Sequence, residues 1–469
     1  MGRNKKLAKN IGFVFVGNIG SKLVGFFMLP LYTYWLSPAD FGLSDILGVY
    51  SNLLLNLVAF DMADAIFVFP SGEDNENIKK YYSTGFFFQI MCSVVLAVLF
   101  YGLSFVNSNN SFISNIWFIY FMLISSLFQV YVQNFCRGIN KMSVFSFTGI
   151  VNSLAIAISS ILLIPKYGVL GFVVATILAN VITGLFTFIY SKSYEYLTIH
   201  SFSKKHLLEM LKYSIPLMPT AVMWWLISSL NRPLVEQYCG LFALGLLAVG
   251  NKLPNIMNVV FSMFQQAWTV TVLEEYGKDG FDKYFNKMFK MIFLLQILIC
   301  MMITVCAKPF INLMTTIQYQ EAWKFIPLIT FGTLFSNISA FIGAIFTATR
   351  KSNFTFISAI SGGMGSIVLN ILLIPKFGLW GACIAIILAH FLSAITRVYF
   401  STRFVRLNAS TFIVLTSMIA IACYLCCFIH NIVVRILAYA VCFALLILFN
   451  KGIIGDCKNF VFKKIRRNR

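Results

Sequence analysis

Runs of about twenty apolar residues recur along the whole chain, each closed by a few charged or turn-forming residues. A helix rises about 1.5 Å per residue, so such a run matches a hydrocarbon layer of about 30 Å. Cutting at the interruptions gives about fourteen spans, near 10–35, 40–66, 82–106, 112–136, 143–164, 168–190, 212–235, 242–268, 288–311, 323–348, 353–374, 378–400, 410–429 and 433–450. Composition agrees: 59% of the 469 residues are hydrophobic and only 11% charged, against about 25% in an ordinary soluble domain. A soluble enzyme is excluded, and the expected fold class is an all-α polytopic membrane protein.

The charge tests the count, because one missed helix would scramble the alternation of basic and neutral loops. The chain carries 36 Lys and Arg against 16 Asp and Glu, a net +20. With fourteen spans, most basic residues fall on the side that holds both termini, which is therefore expected to be cytoplasmic. Only Lys166, Lys308, Lys324, Lys376 and Arg435 fall on the other side, while Lys22, Arg232 and Lys252 lie within spans or at their edges. The basic excess does not point to nucleic acid, since no solvated stretch is long enough to form a reading domain. Arg3, Lys5 and Lys6 precede an apolar run as in a signal peptide, but that run continues to Trp35 and reads as a retained first helix. The 11 Cys are scattered, and Cys423, Cys426 and Cys427 read as helix packing because no His or second pair stands in register with them.

The chain also repeats itself. Ile161 to Asn180 reads ILLIPKYGVLGFVVATILAN and Ile371 to His390 reads ILLIPKFGLWGACIAIILAH, identical at 12 of 20 positions at an offset of 210. Six spans per copy is an even number, so both copies enter the bilayer in the same sense, as parallel repeats about an axis along the membrane normal. The expected organisation is a six-helix half at 1–190, a cytoplasmic linker at 191–211, a second half at 212–400, and two added helices with a basic tail at 401–469. Two facing repeats are the architecture of alternating-access transporters, whose substrate sites lie near the midplane.

Polar residues inside spans mark candidate sites. Lys22 lies about 18 Å along the first helix, close to the midplane, where an ionised lysine costs ~2.5–3.5 kcal/mol unless it faces a wet cavity or partner. Asn18 precedes it by one turn, and Asn52 and Asn56 repeat that spacing in the second span. In the eighth span Asn251, Asn255 and Asn258 follow helical spacing beside Lys252, and Arg232 ends a seventh span interrupted by Pro216, Pro219 and Pro233. Lys22, Lys252, Arg232, Asn18, Asn52, Asn56 and Asn255 are the candidate substrate contacts. A structural amide network or a snorkelling arginine is the competing reading. The carboxylates Asp45, Asp61 and Asp64 are candidates for coupling a proton or cation, or for ordinary salt bridges. Gln129 and Gln133 read as helix-packing glue. No GxxxxGK[ST] or HExxH occurs, and the outer loops carry no acid–base cluster, so neither ATP hydrolysis nor glycosyl transfer is built in.

The stretch Asn10 to Leu47, NIGFVFVGNIGSKLVGFFMLPLYTYWLSPADFGLSDIL, resembles the start of Wzx-type polysaccharide flippases of the multidrug/oligosaccharidyl-lipid/polysaccharide exporter (MOP) superfamily, with their LPLYTR-like and LSPxxFG patterns. The turns Leu162 to Gly168 and Leu372 to Gly378 are similar to recurrent connections of that family. The resemblance covers essentially the whole chain. It implies a non-enzymatic flippase in the bacterial inner membrane that carries an undecaprenyl-pyrophosphate-linked oligosaccharide, a repeat unit of O-antigen or capsule, outward through a cationic cavity lined by the first, second, seventh and eighth helices. Lys22 and Lys252 fall on those helices. Many relatives are basic near the end of the second helix, where this chain has Val68. No cofactor is expected beyond a proton or sodium gradient or the membrane potential; a polysaccharide polymerase and a chain-length regulator are candidate partners. A multidrug exporter of the same superfamily and a membrane polysaccharide polymerase are the alternative readings.

Overall fold

A computed structural model describes residues 24–106, 110–407, 410–429 and 431–450, and no strand occurs among them. In chain order the helices are α1 (Leu29–Trp35), α2 (Pro38–Val58), α3 (Met62–Val68), α4 (Asn75–Leu103), α5 (Ile116–Gly138) and α6 (Met142–Tyr190). They continue with α7 (Lys204–Ser214), α8 (Met218–Ser229), α9 (Asn231–Gly250), α10 (Lys252–Glu275) and α11 (Phe281–Met314). The last are α12 (Ile326–Ala348), α13 (Ser352–Ser401), α14 (Ser410–Cys426) and α15 (Ile432–Phe449). α1 is the end of the first expected span. Once the turns at Gly168, Gly240 and Gly378 are counted as ends, the remaining helices supply the second to fourteenth.

The 49-residue α6 and 50-residue α13 are each two spans joined without a loop. At the joints Gly168 has φ 56° and ψ −132°, and Gly378 has φ 56° and ψ −131°, a conformation open to glycine and strained for any residue with a Cβ. Three residues on, a Cβ at Gly171 or Gly381 would strike the carbonyl of Leu163 or Leu373, so the returning helix lies directly on the backbone of the outgoing one. The repeated PKxGxxG therefore encodes one tight helical hairpin twice.

Contacts gather the chain into two compact units, Met1–Ala248 with Met314–Tyr319, and Val249–Leu313 with Gln320–Arg469. In the first, Tyr82, Tyr131 and Phe135 form a buried aromatic centre between α4 and α5, with the Tyr131 hydroxyl donating to the Tyr82 carbonyl at 2.6 Å. α5 and α6 are stitched by amides: Gln133 Nε2 donates to Thr148 Oγ1 at 2.6 Å, and Asn180 Nδ2 to Ser126 Oγ at 2.9 Å. In the second, Trp268 is buried against Phe341 with ring centroids 4.4 Å apart, and its indole N–H donates to the Phe341 carbonyl at 3.0 Å. Cys300, Cys423 and Cys442 are buried in that same apolar core, as packing rather than ligation requires.

The copies differ at one compensated place. Gln133, Thr148 and Thr187 of the first correspond, 210 residues on, to Gly343, Ser358 and Arg397 of the second. There the buried Arg397 donates from Nε to Ser358 Oγ at 2.9 Å and from Nη1 to the Ser339 carbonyl at 2.6 Å. A Cβ on Gly343 would stand 2.7 Å from Arg397 Nη1, so the guanidinium occupies space that the Gln133 side chain claims in the other repeat. Gly343→Gln should therefore destabilise the protein by about 2–3 kcal/mol, by displacing a buried charge from its acceptors. The double change Gly343→Gln with Arg397→Thr, which copies the first repeat, should recover most of that loss in thermal unfolding of the purified protein.

Candidate functional site

The turn that opens α2 is written into its sequence. Ser37 accepts the Asp40 N–H at 3.2 Å while Asp40 Oδ2 accepts the Ser37 N–H at 3.2 Å, and Pro38, which has no N–H to lose, fills the first helical position. Phe41 packs edge-on to Tyr319, whose hydroxyl donates to the Leu36 carbonyl at 3.0 Å. A Cβ on Gly42 would strike the Leu241 carbonyl, and one on Gly245 would strike Pro38, so α2 and α9 cross backbone to backbone.

That crossing brings polar groups of α2 to α8 and α9. Arg232 Nε meets Asp45 Oδ2 at 2.8 Å, and its Nη1 donates to the Ser228 carbonyl at 2.9 Å. The Trp225 indole N–H donates to the Val49 carbonyl at 3.3 Å, and five residues beyond Asp45 the Tyr50 hydroxyl donates to Glu236 Oε2 at 3.2 Å. The other Glu236 oxygen accepts the Ser111 backbone N–H at 3.1 Å. Asp45 and Arg232, expected from the sequence to serve different roles, are thus brought together as one ion pair, with side-chain exposures of 28% and 13%. Ending the seventh span at 235 leaves Glu236 outside the candidates, whereas the helix runs on to the turn at Gly240. Its spacing one turn after Arg232 was the available signal.

Farther along, the second membrane pass breaks. Phe60 and Asp61 both take left-handed conformations, φ 51° and 55°, and α3 restarts at Met62. Asp61, Asp64 and Asn56 line a cavity of about 110 Å³ there, joined by Gln89 of α4 and Asn134 of α5. Asn52, one turn before Asn56, is exposed.

In the second unit α10 starts at Lys252, directly after Asn251, whose backbone stays right-handed helical at φ −74° and ψ −12°. Pro254, Met257, Phe261, Trp268 and Val272 bury one face. Asn255, Asn258 and Ser262 are exposed on another at helical spacing, with Lys252 half-buried at its head. Lys22 and Asn18 lie outside the described residues.

A family model described as "Polysaccharide biosynthesis protein" matches residues 7–270, and a second, MatE, matches residues 216–375. The chain is 23% identical over 417 residues to the capsular polysaccharide biosynthesis protein CapF of Staphylococcus aureus, covering 85% of this chain and 100% of that one. It is 24% identical over 149 residues to the uncharacterized membrane protein MJ1068 of Methanocaldococcus jannaschii, 31% of this chain and 28% of that one. Among solved structures, the lipid II flippase MurJ in an inward closed conformation superposes with a TM-score of 0.70 at 17% identity, covering 94% of this chain and 98% of MurJ. An outward-facing MATE family multidrug resistance transporter of the MOP superfamily gives 0.60 at 14% identity, covering 85% and 95%. The likeness establishes the fold shared by these transporters.

Asp45→Asn should cost about 1–3 kcal/mol, because it strands a largely buried guanidinium, and Arg232→Gln should cost less, because its stranded carboxylate is the more exposed partner. Thermal unfolding of the two variants and of the double variant, read as a double-mutant cycle, measures the coupling.

Proposed function

The chain belongs to the polysaccharide biosynthesis protein family, and from that premise we propose that it flips a polyprenyl-pyrophosphate-linked oligosaccharide, a surface-polysaccharide repeat unit, from the cytoplasmic to the outer leaflet of the bacterial inner membrane. The observation that carries this reading is Lys252. A half-buried lysine inside a membrane pass, followed by a face of exposed amides, is costly in hydrocarbon and suited to an anionic, hydroxyl-rich cargo.

In this reading Lys252 and Lys22, with Asn18, Asn52, Asn56 and Asn255, hold the headgroup and first sugars while the repeats rock between inward and outward states. The prenyl chain stays in lipid. Arg232 contributes through Asp45, holding the α2–α9 crossing and releasing a cation toward the substrate only when that pair opens. A cargo of about two negative charges leaving a cell that is negative inside gains ~4–5 kcal/mol per 100 mV, so the membrane potential is sufficient drive and a proton or sodium gradient an additional one. Both termini face the cytoplasm, and a polysaccharide polymerase and chain-length regulator act on the product at the outer face.

The MatE match over 216–375 favours a second reading, a cation-coupled drug exporter. The two separate in proteoliposomes. A flippase makes a polyprenyl-pyrophosphate oligosaccharide accessible on the far leaflet, and Lys252→Gln or Lys22→Gln lowers the initial rate about tenfold or more while Lys252→Arg retains most of it. A rate unchanged by both neutralising variants overturns the cationic site. Efflux of organic cations with no movement of the lipid-linked sugar overturns the function.

A further inference from the structure

The segment that joins the two copies of the duplicated unit exposes large apolar side chains, which a linker in open water has no reason to do. It runs through two single turns, Ser193–Tyr196 and Ile199–Ser201, into α7. One side of it is fastened to α4. Ser83 Oγ accepts the Thr198 N–H at 2.9 Å and donates to the Tyr196 carbonyl at 2.8 Å, Thr84 Oγ1 accepts the Ser203 N–H at 3.0 Å, and the Tyr81 hydroxyl donates to Glu209 Oε2 at 3.0 Å. On α7 Met210 and Ser214 are buried, and Leu207 and Leu211 pack on the core of the first unit. These bonds and contacts fix which face of the linker turns outward.

That face carries Ile199, Phe202 and Leu208, which are 68%, 49% and 57% exposed. Lys204, Leu208 and Lys212 follow at four-residue spacing, so an apolar side chain lies between two lysines on one stripe of α7, with Lys205 beside it. All three lysines are exposed, and none has an ion-pair partner among the described residues. Nearby carboxylates are engaged elsewhere: Glu195 faces Lys192 at 3.7 Å, and Glu209 is held by Tyr81. Apolar side chains clustered among uncompensated cations are the pattern of helices that lie in a membrane interface, where lysine stems follow the apolar surface and their ammonium groups reach phosphates. The linker also begins where a lipid-facing strip ends. Leu185, Ile189 and Tyr190 at the close of α6 are exposed, and the first turn of the linker starts within three residues of them. A pass leaves the hydrocarbon there, which sets the outward face at the level of headgroups, on the side that the basic loops assign to the cytoplasm.

We propose that this face, Ile199, Phe202 and Leu208 with Lys204, Lys205 and Lys212, is a binding surface for anionic phospholipids of the cytoplasmic leaflet. The apolar side chains enter the acyl boundary and the lysines take the headgroup phosphates, so the joint between the two copies is tied to the bilayer surface. The inference depends on the chain being a membrane protein and is independent of what cargo it carries.

Two measurements on the full-length protein test it. With p-benzoylphenylalanine in place of Leu208, irradiation in bacterial membranes should add the mass of a phospholipid; an adduct with another protein, or none, overturns the proposal. Thermal unfolding of the purified protein in detergent, titrated with phosphatidylglycerol or with phosphatidylcholine, reads the charge preference. The expected result is a saturable rise of the midpoint at least twice as large with phosphatidylglycerol, at least halved by Lys204→Gln with Lys212→Gln. Lys283→Gln with Lys351→Gln, which removes the same charge from exposed lysines elsewhere on that side, should leave it intact. An equal response to the two lipids, a response that the first pair of changes leaves intact, or one that the second pair halves as well overturns the surface.

Discussion

A backbone inside hydrocarbon has no water to bond, so each interruption of a membrane helix must be satisfied by protein. This constraint explains where the chain bends and what stands at each bend. Gly168, Gly240 and Gly378 turn the chain between passes, with positive φ and glycine at each. The interruption within the second pass is made of other residues: Phe60 and Asp61 are held left-handed beside a cavity that Asn56, Asp61, Asp64, Gln89 and Asn134 share with apolar side chains. Not every connection uses glycine, since Asn140 and Arg350 also turn left-handed between passes.

The start of α2 has a related logic. Its capping box and Pro38 fix where the helix begins, Gly42 and Gly245 let α9 touch its backbone, and only then can Asp45 reach Arg232 and Tyr50 reach Glu236. Side chains of ordinary size at the two glycines would hold the helices apart and leave these charges solvated separately or unpaired.

Much of this was legible before any coordinates. Apolar run length gave the passes, and the 210-residue offset gave the paired hairpins down to matching left-handed turns at Asn140 and Arg350. The LSPADFG stretch carried the resemblance to flippases: Ser37, Pro38 and Asp40 build the cap, Leu36 and Phe41 meet Tyr319, and Gly42 admits the crossing. Pairings across helices were not legible. Asp45 and Arg232 are separated by 187 positions, and nothing in spacing says that they meet. Gln89 and Asn134 carry no mark of their own in the sequence; the cavity beside the break at Asp61 is what brings them together. Glu236 was lost to an error of a few residues in where a helix stops.

The exchange of Gln133 and Thr187 for Gly343 and Arg397 has a historical side. If the ancestor of the two copies resembled the first, the second could reach its present state by one order of steps. Losing the glutamine first leaves a void and a modest penalty. Gaining the arginine first forces a guanidinium into occupied space. The order is therefore set by packing, and once the arginine is seated the glycine cannot revert. Duplicated halves that began interchangeable become committed in this way to separate histories, each step closing the path behind it.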